Sequence, residues 1–102
     1  MLALIESRRA DVTALCERFR VRKLHVFGSA VRGGFDLASS DLDFVVEFRD
    51  LPPGDLAHSY FGLKQQFEML FDRSVDLVMA DAMRNPYFKA SVDAHRELVY
   101  AA

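Results

Sequence analysis

Asp41 and Asp43 stand one residue apart at the start of an apolar run, Asp-Leu-Asp-Phe-Val-Val-Glu-Phe48, and Asp76 stands alone between Val75 and Leu77 in another. Side chains alternate faces along a strand, so Asp41 and Asp43 share one face. Leu42, Phe44, Val46 and Phe48 take the other, which reads as core. Clustered carboxylates repel one another, and burying them unpartnered is costly. A divalent cation resolves that conflict. If the strand carrying Asp76 lies beside the first, Asp76 faces Asp41 and Asp43. Three carboxylates without His or Cys suit a hard, oxygen-seeking ion, and magnesium fits best. Two such ions can clamp the attacking and leaving oxygens of a phosphoryl displacement.

Upstream, Val26-Phe-Gly-Ser-Ala-Val-Arg-Gly-Gly34 leaves an apolar run through a Gly-Ser pair. A strand ending in glycine and opening onto a helical turn points backbone N–H groups outward, and these form an anion site. Gly28 lets a phosphate approach the backbone. Ser29 is placed to hold a terminal phosphate, and Arg32 to add a charge-assisted contact. Each element is common alone: most Asp-x-Asp pairs are solvated turn residues or caps. The combination across three apolar runs is what carries the chemistry.

The positioning elements follow from periodicity. Val12, Leu15, Cys16 and Phe19 fall at helical spacing, with Leu2 and Ile5 extending the stripe, and predict a helix over 2–19. Strands are predicted at 21–27, 41–48 and 74–79, with a short last one at 98–100. A brief helical turn over 29–32 and a loop over 35–40 lie between the first two. Leu51-Pro-Pro-Gly54 is a breaker, followed by a helix over 55–71 with Asp55 as its N-cap and Leu56, Tyr60, Leu63, Phe67 and Leu70 facing inward. Arg84-Asn-Pro-Tyr-Phe88 starts a further helix, with Asn85 as N-cap and Pro86 first in the helix, running to about His95. The order α-β-turn-β-α-β-α-β predicts an α/β (α+β) domain: a small mixed sheet of three to four strands with helices packed on it.

At 102 residues and 51% hydrophobic, the sequence has room for one domain, 1–102, with a real core. A net charge of −2 argues against coating nucleic acid, which needs a basic footprint. The single cysteine, Cys16, reads as a small helix core residue. No apolar run approaches the roughly 20 residues that cross a bilayer, and a cytoplasmic protein is expected. Glu47 shares the aspartates' parity but reads as rim. His25 reads as structural, Lys64 as solvated helix face, and Asp36 as a turn residue. Tyr60, Tyr87, Phe88 and Tyr100 read as core.

Gly28-Ser29-x-x-Arg32-Gly33, the Asp41-x-Asp43 pair about a dozen residues on, and Asp76 on a later strand resemble the DNA polymerase β-like nucleotidyltransferase superfamily, and within it the minimal nucleotidyltransferases of bacteria and archaea. The resemblance spans essentially the whole chain. It implies that Asp41, Asp43 and Asp76 hold two Mg2+ ions and the nucleotide, with Asp76 nearest the incoming nucleophile, and that Gly28, Ser29 and Arg32 bind the phosphates. It implies transfer of a nucleotide, with ATP as donor, onto an acceptor hydroxyl. Larger relatives carry further domains that grip template or drug, and none is seen here, so the acceptor is expected to bring its own surface. In such minimal proteins that acceptor is commonly a tyrosine of a HEPN-type ribonuclease toxin, silenced by AMP transfer from its antitoxin, which implies a hetero-oligomer with the toxin. An occluding module that binds nucleotide without turning it over is the competing expectation. An intact aspartate triad favours the enzyme.

Overall fold

Alternating side chains place four strands in one sheet. The computed structural model describes residues 1–82 and 85–102, with the backbone only of Ser91 and Ala94. The chain runs α1 (Ala3–Glu6), α2 (Arg9–Arg18), β1 (Val21–Phe27), α3 (Ser29–Arg32), β2 (Leu42–Phe48), α4 (Pro53–Phe71), β3 (Val75–Met79), a 3₁₀ turn (Ala80–Ala82), α5 (Pro86–His95) and β4 (Glu97–Ala101). The sheet order is β3-β2-β1-β4. β1 is antiparallel to both β2 and β4, while β2 and β3 are parallel, joined by the α4 crossover. This is the mixed sheet with packed helices that the sequence predicts.

The predicted core face is the observed one. Leu42, Phe44, Val46 and Phe48 of β2 join Leu24 and Val26 of β1 and Val75 and Leu77 of β3 against Val12 and Cys16 of α2 and Leu63, Phe67 and Phe71 of α4. The Phe44 and Phe67 rings lie 5.2 Å apart. Gly62 admits the Phe19 ring between α2 and α4, since a β-carbon there would press on its edge. Burial pushes the Cys16 thiol up to about 12, consistent with a core residue rather than a reactive one. The opposite face is covered in part. Val92 of α5 packs on Phe27 and Val45 and closes a second, smaller core.

Several local expectations need correction. The helix predicted over 2–19 breaks at Ser7-Arg8. The Ser7 hydroxyl donates to the Leu4 carbonyl at 3.0 Å, a local bond that competes with helix continuation. Arg9 then donates to Glu6 and, at 3.0 Å, to the Val99 carbonyl, pinning the start of α2 to β4. Asp55 does not cap α4: Pro52 holds that position and Pro53 opens the helix, because a proline at the first helical position forfeits no hydrogen bond. Asp55 sits inside the first turn, where its charge suits the helix dipole. Asn85 does cap α5, its Oδ1 accepting from Tyr87 N (3.0 Å) and Phe88 N (3.3 Å). Arg84 lies outside the described residues.

Tyr87 and Phe88 are not core. They are 86% and 44% exposed, because α5 turns Val92 onto the sheet while its first residues remain largely open to solvent; only the Phe88 ring meets Phe27, edge-on at 6.2 Å. Tyr60 and Tyr100 do pack against the core, and the Tyr60 hydroxyl donates to the Leu77 carbonyl at 2.7 Å. Among the described residues no helix is long and apolar enough to cross a membrane.

Candidate active site

β1 ends at Phe27, and Gly28 turns the chain with φ 73° and ψ −146°, a conformation that only glycine adopts readily. Ser29 opens the short turn α3, closed by Val31 N and Arg32 N donating to the Gly28 carbonyl, both at 3.0 Å. Gly28 has a second reason to lack a side chain: a β-carbon there would clash with the Asp43 carboxylate. The Gly-Ser turn and the aspartates thus meet at one end of the sheet, as the spacing predicts.

Asp43 and Asp76 are register partners on the parallel strands β2 and β3. Asp41 lies one residue before β2 rather than within it, and is exposed. Asp43 is half-buried and Asp76 exposed. Burial first, then the charges of Asp76 and Asp41, push the Asp43 carboxyl up to about 6; Arg32 opposes the shift, and a hydrogen bond to Asp76 adds to it. These influences bring four of the six candidate residues into one electrostatic neighbourhood, and Gly28 abuts Asp43.

The donor chemistry fits a hard divalent cation: two juxtaposed carboxylates, a third flanking them, and a raised carboxyl that a positive charge would relieve. The three do not close around one point, and among the described residues no group of three His, Cys, Asp or Glu side chains forms a ready metal cage. The arrangement is a pair with a flanking acid. It suits magnesium, which fills its remaining positions with water and substrate phosphate oxygens.

The other polar residues are structural. Glu47 pairs with Arg22 at 3.2 Å on the rim. Lys64 pairs with Glu68 at 3.5 Å, and Glu68 also accepts from Val75 N at 3.1 Å at the start of β3. Asp36 accepts from Ala38 N at 2.8 Å, the turn role predicted for it. His25 is half-buried, and burial and the charge of Arg96 hold its imidazole below its ordinary value. A cleft of about 540 Å³ lies at the other ends of β2 and β3, lined by Phe48, Leu51, Leu56 and Met79, and includes none of the six candidate residues. Periodicity and motif spacing pass over two residues near the aspartates, Phe35 and Arg73, which stack on each other beside the loop before β2.

A sequence profile of the nucleotidyltransferase domain matches residues 12–99, from α2 into β4 and across all six candidate positions. The chain belongs to the nucleotidyltransferase domain family. This nucleotidyltransferase is 37% identical over 86 residues to the protein adenylyltransferase MntA of Thermococcus cleftensis, covering 84% of this chain and 80% of that one. It is 34% identical over 86 residues to a protein of Methanocaldococcus jannaschii provisionally named a protein adenylyltransferase, covering 84% and 82%. Its fold superimposes with a TM-score of 0.76 on a solved structure provisionally described as a minimal nucleotidyltransferase, at 30% identity over 94% and 93% of the two chains. It also matches the fold of a complex of a tri-AMPylated HEPN toxin with its MNT antitoxin from Shewanella oneidensis, with a TM-score of 0.65 at 18% identity over 95% and 72% of the chains. The family and the mixed-sheet fold are those the motif resemblance implies.

Proposed function

We propose that this nucleotidyltransferase moves AMP from ATP to a tyrosine hydroxyl of a HEPN-type toxin and thereby acts as its antitoxin. The observation that carries the reading is the in-register pair Asp43–Asp76 set beside the Gly28-Ser29 turn. The names of the MntA relative and of the HEPN–MNT complex support the acceptor class.

In this reading Asp41, Asp43 and Asp76 hold two Mg2+ ions, which when bound neutralise the phosphate charge and relieve the repulsion between the acids. Ser29 and the Gly28–Ser29 backbone hold the β- and γ-phosphates, and Arg32 adds a cation on the same side. Asp76, the more exposed of the pair, faces the incoming acceptor and takes the hydroxyl proton. The acceptor oxygen bonds to the α-phosphorus as the bond to the β-phosphate oxygen breaks, and pyrophosphate leaves. The rate gain comes from positioning and charge stabilisation. The acceptor surface belongs to the partner.

Incubation with ATP, magnesium and a HEPN-type partner, followed by intact mass of each chain, tests this. AMP on the partner supports the transferase. A stable complex with both masses unchanged favours the occluding module that binds nucleotide without turnover.

A further inference from the structure

We propose that Arg73 is a positioning residue for Asp41, holding the loop before β2 in the place the transfer site requires. The proposal rests on the reading of Asp41 as part of that site.

Asp41 precedes the strand, so β2 does not fix it directly. The two residues around it are fixed instead. The Ser40 carbonyl accepts from Arg73 Nη1 at 3.0 Å, and Leu42 N donates to the Ser74 carbonyl at 3.2 Å. Asp41 is bracketed by bonds to two consecutive residues of the segment that continues into Asp76. Arg73 also donates from Nη2 to the Leu37 carbonyl at 2.9 Å and from Nε to the Phe71 carbonyl at 3.2 Å. Its guanidinium stacks over the Phe35 ring at 5.3 Å. Among the described residues it forms no salt bridge. A planar fork of fixed donors is thus spent on three backbone carbonyls and one ring, joining the end of α4 to the loop.

The loop moves as a unit if it moves at all. Asp36 N donates to Ser40 Oγ at 2.9 Å, Ser40 N to the Asp36 carbonyl at 2.8 Å, and Ser39 Oγ to Asp36 Oδ2 at 3.1 Å. Upstream, Phe35 packs on the edge of the core, and before it stand Gly33 and Gly34, with φ 94° and 78° and nothing within 4 Å of either β-position. Phe35 holds only the start of the turn, and Arg73, stacked on that ring, ties the turn itself through the Leu37 and Ser40 carbonyls. Without that tie the turn swings and carries Asp41 with it.

The test is backbone ¹⁵N relaxation of the free protein, wild type against Arg73→Gln and Arg73→Lys. Neither replacement carries three donor nitrogens in one plane, the set that Arg73 uses on three separate carbonyls. Order parameters at Ala38 to Asp41 should fall from about 0.85, the rigid level, to below about 0.6 in both variants, with Phe44 and Val46 unchanged. Transfer by the variants, at a temperature where all three proteins are folded, should lose at least tenfold in kcat, since a misplaced group costs on the order of 10²-fold. Unchanged order parameters in both variants overturn the tie. A loosened loop with wild-type kcat overturns the positioning role. If the wild type transfers nothing, the functional reading fails, and relaxation still decides whether Arg73 holds the loop.

Discussion

Gly28 packs directly against Asp43: a β-carbon on Gly28 would clash with the Asp43 carboxylate. The glycine of the Gly-Ser turn and the second aspartate are therefore fitted to each other, not merely near each other. Gly28→Ala should destabilise the protein by roughly 1–3 kcal/mol through its backbone conformation, and should also displace Asp43. Gly33→Ala meets the same class of backbone cost with open space at its β-position. Urea unfolding should show both losses. Nucleotide transfer, measured where both variants are folded, should collapse in Gly28→Ala and persist in Gly33→Ala.

The metal-free protein should carry an electrostatic penalty at Asp43. Its carboxyl stands at about 6 in the fold against an ordinary 3.8. The folded state therefore binds the proton more tightly, and Asp43's contribution is most favourable below 3.8 and is lost as pH rises through about 6. Other carboxylates shift the opposite way, Glu68 among them, held low by the Val75 amide, so total stability does not isolate the effect. The comparison does: with magnesium chelated, Asp43→Asn should melt higher than wild type at pH 7, and the gap should close toward pH 4. A gap independent of pH would contradict the assignment.

Asp76→Asn should leave the fold intact, because the side chain is exposed and the strand ladder does not depend on its charge. If Asp76 takes the acceptor's proton, kcat should fall by about 10²–10⁴-fold. Single-turnover kinetics with the partner would read this directly, and a loss smaller than tenfold would move the base elsewhere.

Asn85 caps the helix that closes the second, smaller core. Its Oδ1 satisfies two amides at the start of α5, the helix that seats Val92 on Phe27 and Val45. Asn85→Ala should cost about 1 kcal/mol, read as a lower urea midpoint, while Asn85→Asp should hold near wild type.

The strands and the placement of the candidate residues were legible for the same reason. Period-two alternation in β2 separates Phe44 and Val46 from Asp43, and a lone acid inside Val75–Met79 sits badly in an apolar strand unless a positive charge meets it. The Gly-Ser turn added a motif that meets the acids in space. What stayed hidden depends on contacts with no local pattern. Val45 shares the aspartates' parity, and its burial comes from α5 docking on it. Tyr87 and Phe88 read as core because hydrophobicity does not say which face of a short helix finds a neighbour. Ser7 ended a helix through one hydroxyl bond. Arg73 engages backbone carbonyls, which every residue possesses, so nothing in its neighbours' identities announces it.

Calorimetric titration of a non-hydrolysable ATP analogue into the wild-type chain and Asp43→Asn, each with magnesium and with chelator, asks whether the aspartates bind nucleotide through a metal. Saturable binding by the wild type that requires magnesium and is lost in Asp43→Asn is the predicted result. Equal binding in the variant, or binding indifferent to magnesium, would contradict the assignment of these aspartates as the metal–nucleotide site.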